Sequence, residues 1–246
     1  MMYKKRSLAI ATIVLTLGLA GCSSQPDVPE IKITAPEQMY RSAQEASDLG
    51  NLSKAIQILE AIESRFPFGP QADQVQLDLI FAYYRQSNID QALATIDRFL
   101  RLNPTHPDID YVFYMRGLAN MQSDENMFHE FFNIDRSDRD PQFSIQAFRD
   151  FKQLIEFNPN SHYAPDAKQR MVALRNKISQ HNLTVAQYYF ERKLYVAAIN
   201  RAKETLERFA DTASTLPALN IMKESYTALK QDDLAQRTQE MIDKNT

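Results

Sequence analysis

The strongest constraint on the fold is a sequence pattern that repeats after 37 residues. Residues 50–104 contain one complete unit of this pattern and most of a second. When the second unit is shifted back by 37 positions, Ala92 falls on Ala55 and Pro104 falls on Pro67. The same small residue returns further along the chain, at Ala147, Ala198 and Ala235. A chain that keeps such a spacing is built from similar units stacked in series.

Each unit has the features of a helical hairpin. A small residue on the second helix lets the first helix approach closely, and the proline twelve residues later ends the pair because it cannot continue a helix. The pattern resembles the tetratricopeptide repeat (TPR), although the chain lacks tryptophan and has Ala43, Ile80 and Ala186 where that repeat has glycine. We therefore predict an all-α protein, an α-solenoid of about five TPR helical hairpins. An ordinary helical bundle is the alternative, but a bundle has no reason to keep a fixed spacing.

Residues 1–21 have the features of a lipoprotein signal peptide and are set aside from the fold. Three basic residues precede an uncharged apolar stretch at residues 8–20, which is short for a membrane span. The stretch leads to the only cysteine of the chain, Cys22, in a sequence that resembles a bacterial lipobox. We predict that Cys22 carries S-diacylglycerol and an N-acyl group, and that residues 22–35 form a flexible tether. The alternative is an ordinary signal peptide with an incidental cysteine.

The next residue and the net charge bear on location. Ser23 stands where inner-membrane lipoproteins commonly carry aspartate, which favours the periplasmic face of the outer membrane. Without the leader, 25 Lys and Arg face 31 Asp and Glu, a net charge of about −6. Such a surface does not suggest binding to nucleic acid or to anionic lipid, so the acyl chains must hold the protein at the membrane. No later apolar run reaches the roughly 20 residues that a membrane-spanning helix needs.

Apolar periodicity and turn residues predict the helices. They cover residues 36–49, 53–65, 71–86, 89–102, 108–122, 141–157, 196–209, 215–230 and 232–243. Ser53 is a candidate N-cap. Residues 163–193 are twice as long as one helix of a hairpin, and we predict a long helix that precedes the next one or merges with it, with a bend near Asn182.

The spacing slips by 18 residues at an insertion in the third unit, residues 123–140. The insertion contains Phe128, Phe131 and Phe132, followed by alternating charges. Insertions within a repeat often form loops that carry function. Alternatively, the phenylalanines pack against the solenoid while the charges pair in water, and the sequence leaves both interpretations open.

The residue patterns give no indication of catalysis. A chain with 5 glycines has no glycine-rich phosphate loop, and its four histidines lack the spacing of metal ligands. No serine lies in a nucleophile-elbow sequence. We predict a protein that is not an enzyme, with no catalytic residues, no metal and no cofactor other than the lipid on Cys22.

Stacked hairpins offer a partner the wall formed by their first helices. In the TPR register, the predicted wall is aromatic and uncharged, and its members are Tyr40, Gln44, Leu77, Phe81 and Tyr84. We expect such a wall to bind an extended apolar or aromatic segment, because tyrosine and phenylalanine give large contact areas at small ordering cost. The alternative is that these aromatic residues pack between neighbouring helices.

Three strings make the chain similar to the BamD family, the lipoproteins of the outer-membrane β-barrel assembly machinery. These strings are residues 63–84 (ESRFPFGPQADQVQLDLIFAYY), 98–117 (RFLRLNPTHPDIDYVFYMRG) and 131–142 (FFNIDRSDRDPQ). The resemblance covers essentially the whole chain. It implies binding of the POTRA domains of BamA, of BamC and of unfolded barrel proteins, with BamE as a further candidate partner.

The resemblance also divides the chain by role. It implies that residues 36–104, TPR units 1–2, bind substrate targeting signals, and that residues 105–246, TPR units 3–5, dock BamA and BamC. Asp124, Asn200 and Arg201 are the implied BamA contacts. A different class of function stays open: a pilotin-like or peptidoglycan-associated TPR lipoprotein of another envelope complex.

Overall fold

The computed structural model describes residues 35–126 and 141–245. Within these ranges the chain forms ten α-helices and no β-strand. The helices are α1 (Pro36–Asp48), α2 (Leu52–Arg65), α3 (Ala72–Arg85), α4 (Ile89–Leu102), α5 (Ile109–Asn126), α6 (Gln142–Phe157), α7 (Ala164–Glu191), α8 (Tyr195–Phe209), α9 (Thr215–Ala228) and α10 (Asp232–Asp243). The predictions for Cys22, the tether and Phe128, Phe131 and Phe132 lie outside the described residues.

The helices form a solenoid of sequential hairpins, which confirms the predicted all-α TPR fold. Each helix packs against the next one along the chain where both are described, and α3 also contacts α5, as α7 contacts α9. The hairpins are α1–α2, α3–α4, α5–α6, the second half of α7 with α8, and α9–α10. Most predicted helix limits are correct to within two residues.

Four hairpin turns share one backbone conformation. Gly50, Ser87, Lys193 and Lys230 have positive φ angles of 75°, 60°, 61° and 57°. In each case the next residue donates its N–H to the carbonyl five positions earlier, at 2.8–2.9 Å, as in Asn51 to Ala46 and Asn88 to Tyr83. This is the Schellman arrangement, which ends a helix with one left-handed residue. The repeated unit is therefore visible in the backbone as well as in the sequence.

The small residues that define the repeat are in the interior. Ala55, Ala92, Ala147 and Ala198 are completely buried, and Ala235 in the last hairpin is partly buried. Aromatic and aliphatic side chains surround these contacts in clusters that involve consecutive helices, such as Leu77, Ile80, Ile96, Phe99, Val112 and Met115 between α3, α4 and α5. Close helix contact at the alanine positions is thus confirmed as the basis of the repeat.

Two local predictions need correction. Ser53 does not cap α2, because Asn51 is the N-cap and its side-chain oxygen accepts the N–H of Lys54 at 3.1 Å. The predicted insertion begins too early, because α5 continues to Asn126 rather than ending at residue 122. The reason is that Asp124, in the last turns of α5, is held by side chains of α6 and α7.

Residues 164–191 form one continuous helix, α7, that passes through Asn182. Of the two predicted arrangements, the one in which a long helix merges with the first helix of the fourth hairpin is therefore confirmed. Asn182 is 5% exposed and lies on the packed side of the helix. The helix spans two roles, since its first half packs on α6 and its second half pairs with α8.

Candidate binding surfaces

An open groove lies between α1 and α3, with α2 beneath it and α5 at one end. We call it the N-terminal groove. Its volume is about 390 Å³, and it is lined by Ala43, Gln44, Ser47, Asp48, Ala55, Leu59, Asp78, Phe81, Ala82 and Tyr111. Ala55 at the repeat position leaves room in its floor.

The structure places the five predicted wall residues in four different environments. Gln44 and Phe81 line the N-terminal groove, and Phe81 is 39% exposed. Tyr40 is buried, and its hydroxyl donates to Asp78 Oδ2 at 2.7 Å. Leu77 is 5% exposed in the cluster between α3, α4 and α5, so it is a packing residue. Tyr84 lines a separate pocket, described below.

The prediction of an uncharged wall is wrong. Asp48 and Asp78 both line the N-terminal groove, and no Lys, Arg or His is among its described lining residues. Burial raises the pKa of the Tyr40 hydroxyl, and the hydrogen bond and negative charge of Asp78 raise it further. Burial also raises the pKa of Tyr111, with the charge of Asp78 contributing. The groove therefore contains two carboxylates and no basic group among its described lining residues, which the aromatic pattern alone did not reveal.

A second pocket lies between α3, α5 and α7, and we call it the arginine pocket. Its volume is about 280 Å³, and it is lined by Tyr84, Arg85, Leu118, Met121, Gln122 and Arg170. Arg170 is oriented by Asp166, one turn earlier on α7, through a bond of 2.5 Å from its Nε. The guanidinium of Arg85 lies 5.5 Å from the centre of the Phe81 ring.

Sequence reasoning missed the arginine pocket. Its two arginines lie on α3 and α7, and the relative position of these helices depends on the insertion and on the length of α7. No local spacing connects Arg85 with Arg170. The only available signal was the polar Gln122 on the same face of α5 as Leu118.

Arg201 lies between two clefts in the C-terminal hairpins. One cleft, of about 350 Å³, is lined by Pro141, Ile145, Ile178, His181, Asn182, Arg201, Glu204 and Arg208. The other, of about 300 Å³, is lined by Tyr189, Ala197, Asn200, Arg201 and Glu204. Glu204 bonds Arg201 Nη1 at 2.9 Å and Arg208 Nη1 at 3.2 Å. Asn200 is exposed, and the Arg201 side chain is 36% exposed. The predicted pair Asn200–Arg201 is thus at the surface.

Asp124 is in an internal contact instead. It is 9% exposed, accepts a hydrogen bond from the Ser144 hydroxyl, and forms an ion pair of 2.7 Å with Lys177. These bonds connect α5 with the start of α6 and with α7. Ile145 and Ile178, which directly follow Ser144 and Lys177 in the sequence, line the cleft beside Arg201. Asp124 itself is not among the described lining residues of this cleft.

The described ranges contain neither a candidate metal site nor a candidate membrane span. Among residues 35–126 and 141–245, no three His, Cys, Asp or Glu side chains are grouped as metal ligands would be. None of the ten helices in these ranges combines the length and the apolar character needed to cross a membrane.

Solved structures that match this chain share little sequence with it. MamA from AMB-1 is 15% identical, with a TM-score of 0.37, and the match covers 85% of this chain and 90% of that one. A tetratricopeptide repeat protein from Parabacteroides merdae is 14% identical, with a TM-score of 0.29, and the match covers 85% and 92% of the two chains.

Sequence relatives are much closer. The protein named outer membrane protein assembly factor BamD in Vibrio cholerae is 47% identical, over 92% of this chain and 93% of its own. The proteins of the same name in Neisseria meningitidis and Haemophilus influenzae are 37% and 35% identical, over 96% and 97% of this chain and 90% and 88% of theirs. A family model described as "YfiO: Outer membrane lipoprotein" matches residues 33–241. The chain therefore belongs to the BamD family of outer membrane lipoproteins.

Proposed function

We propose that this chain is a non-enzymatic scaffold of the outer-membrane β-barrel assembly machinery. A lipid on Cys22 anchors it at the periplasmic face of the outer membrane, where it helps unfolded barrel proteins to fold and insert. The observation that carries this proposal is family membership across residues 33–241, because relatives of similar length are named outer membrane protein assembly factors.

In this proposal the N-terminal groove binds targeting segments of unfolded barrel proteins. The groove is open along its length, and Phe81 and Gln44 give it an exposed aromatic ring beside an exposed amide. An extended segment can place an apolar side chain on the ring, while its backbone bonds with the amide. Tyr40 supports the site from below, since its bond to Asp78 ties α1 to α3.

The second part of the proposal assigns BamA docking to the surface around Asn200 and Arg201, with BamC and BamE as further partners of the C-terminal hairpins. Arg201 is fixed by Glu204 and lies between two clefts, so a POTRA carboxylate could reach its free edge while apolar side chains enter the clefts. Burial of such a charge pair removes it from water, and loss of one partner then costs about 2–5 kcal/mol.

The test is co-purification from detergent-solubilised outer membranes, with wild type and Arg201→Glu compared. We expect wild type to retain a barrel protein that carries POTRA domains, identified by mass, and Arg201→Glu to lose it, because two carboxylates would then face each other. Lys203→Glu is the matched control, since it makes the same charge change at an exposed position two residues away. Circular dichroism establishes that both variants fold.

Other outcomes are informative. Recovery of a secretin or of a peptidoglycan-binding protein in place of the POTRA protein would contradict the assembly role and favour the pilotin-like or peptidoglycan-associated alternative. Retention of the POTRA protein by Arg201→Glu would leave the assembly role intact and move the docking surface elsewhere.

A further inference from the structure

The N-terminal groove and the arginine pocket carry opposite charges and adjoin each other. The groove contains the carboxylates of Asp48 and Asp78, while the pocket contains the guanidinium groups of Arg85 and Arg170. Both surfaces use α3 and α5, so they lie side by side along the same stack of helices. A ligand that extends along this stack passes from a negative to a positive environment.

The two surfaces meet at an aromatic side chain. Phe81 lines the groove, and the guanidinium of Arg85, one turn further along α3, lies over its ring at 5.5 Å. Packed helices are about 8–10 Å apart. An extended peptide advances about 3.3 Å per residue, so about three residues bridge the distance between neighbouring helices.

One charged group of each surface is held in place before any ligand binds. Asp78 accepts hydrogen bonds from Tyr40 and from Gln74, at 2.7 Å and 2.9 Å. Arg170 is oriented by its bond to Asp166. Side chains that are already fixed lose little freedom on binding, so their charges select a ligand more effectively than mobile ones do.

The arginine pocket also contains an unsatisfied acceptor. Gln122 Oε1 is buried without a hydrogen-bond partner, while Nε2 of the same side chain donates to Ser87 Oγ at 2.8 Å. A buried carbonyl oxygen without a donor is unfavourable.

From these contacts we propose that the N-terminal groove and the arginine pocket together recognise the order of charges in an extended peptide. A lysine or arginine of the peptide occupies the N-terminal groove, an apolar or aromatic side chain lies on Phe81, and a carboxylate enters the arginine pocket. The proposal rests on the proposed function, in which this groove binds segments of barrel proteins, and it adds the charge pattern and the direction of those segments.

The test uses labelled synthetic peptides and fluorescence anisotropy. Two short peptides contain one lysine, one phenylalanine and one aspartate about three residues apart, with the two charges exchanged between them. Both peptides have the same composition and blocked ends. They are labelled at the same end and tested a second time with the label at the other end. In the peptide with exchanged charges, two favourable contacts with the protein become like-charge contacts. We therefore expect its Kd to be about tenfold higher, and this difference to decrease as salt is added.

A charge-exchanged protein supplies the decisive comparison. Asp48 and Arg85 are both exposed, so Asp48→Lys combined with Arg85→Glu is compatible with folding. This double variant should lose most of the wild-type preference, because Asp78 remains beside the new lysine in the groove and Arg170 remains beside the new glutamate in the pocket. The control is Asp90→Lys with Arg149→Glu, which makes the same changes at exposed positions outside both surfaces and should keep the wild-type preference.

Equal affinity for the two peptides, or an unchanged preference in the charge-exchanged variant, would overturn the inference. Absence of binding to either peptide would overturn it as well. In each case, a second measurement tests the proposed function itself, with an unfolded barrel protein as the ligand. If wild type binds this ligand and Phe81→Ala does not, the proposed function survives. If wild type does not bind the unfolded barrel protein either, the substrate part of the proposed function also fails.

Discussion

At the scale of single residues, Gly117 illustrates how closely α5 and α6 pack. A Cβ atom at this position would lie 2.5 Å from Cε1 of Phe151, whose ring is completely buried. Alanine is the better helix former by about 1 kcal/mol, but the enclosed ring cannot move away without disturbing its neighbours.

We therefore expect Gly117→Ala to lower the free energy of unfolding by about 1–3 kcal/mol, because overpacking outweighs helix propensity. Urea unfolding followed by circular dichroism measures this change. A smaller side chain at Phe151 should relieve the overlap, so in the double variant Gly117→Ala with Phe151→Leu the glycine substitution should cost less than it does alone. A neutral or stabilising Gly117→Ala would show that the ring yields.

Two exposed lysines occupy backbone conformations that favour glycine. Lys193 and Lys230 have φ angles of 61° and 57° in the turns that end α7 and α9. We expect Lys193→Gly and Lys230→Gly each to stabilise the protein by up to about 1 kcal/mol, because glycine adopts this conformation without strain. The control is Lys168→Gly, at an exposed helical position, which should destabilise by about 0.5–1 kcal/mol. Thermal unfolding of the three variants measures these differences, and equal signs for all three would contradict the argument.

At the scale of helices, a buried carboxylate connects α5 with α6. Asp150 is completely buried and accepts hydrogen bonds from Arg116 and Asn120, both at 2.8 Å. Burial raises the pKa of Asp150, although Arg116 and the hydrogen bonds oppose that change. The folded protein therefore holds this proton more tightly than the unfolded chain does.

The raised pKa determines the sign of the pH dependence. Below the ordinary aspartate pKa the stabilising contribution of Asp150 is complete, and it decreases as the pH rises through the folded-state value. We expect the stability difference between wild type and Asp150→Asn to be largest near pH 4 and to decrease towards neutral pH. Asp166 is the matched control, because hydrogen bonds from Arg170 and Tyr114 outweigh its burial and lower its pKa, so Asp166→Asn should show the opposite slope. Urea unfolding at several pH values checks both, and parallel curves would contradict the assignment.

The helices and the repeat were predictable from sequence because their signals are local. Alanine spacing, proline ends and apolar periodicity predicted most helix limits to within two residues. The TPR register correctly predicted that Gln44 and Phe81 line the groove. It failed for Leu77, which is buried, because the apolar pattern of α3 alone does not show which of its apolar residues face a neighbouring helix. Asp78, Arg170 and Asp150 were missed, since their importance depends on side chains from other helices.

Gly117 was missed for a related reason. The insertion interrupts the spacing within the third unit, so the glycine could not be aligned with Ala43, Ile80 and Ala186 in the other units. Burial of Asp124 was hidden by the same interruption, because its partners Ser144 and Lys177 come after the insertion. Long-range contacts across an insertion are therefore the part of this fold that sequence spacing does not encode.

At the scale of the whole molecule, the buried clusters of residues 35–126 and 141–245 each join helices that are neighbours in the stack. Ile96 lies in the cluster of α3 to α5, whereas Leu219 lies in the cluster of α7 to α10. Stability in such a chain is the sum of the hairpins and of the contacts between neighbours, so one end can open while the other stays folded.

Hydrogen exchange measured by mass spectrometry tests this independence. Leu219 is 1% exposed and Ile96 is fully buried, and truncation of such side chains to alanine costs about 2–5 kcal/mol. We expect Leu219→Ala to accelerate exchange in α8 to α10 and to leave α1 to α4 protected, while Ile96→Ala should do the reverse. If both variants accelerated exchange equally throughout the described helices, the hairpins would unfold as one cooperative unit. Independent hairpins would instead let the end that we propose to bind substrates move while the end that we propose to dock a partner stays bound, as a scaffold between these two ligands requires.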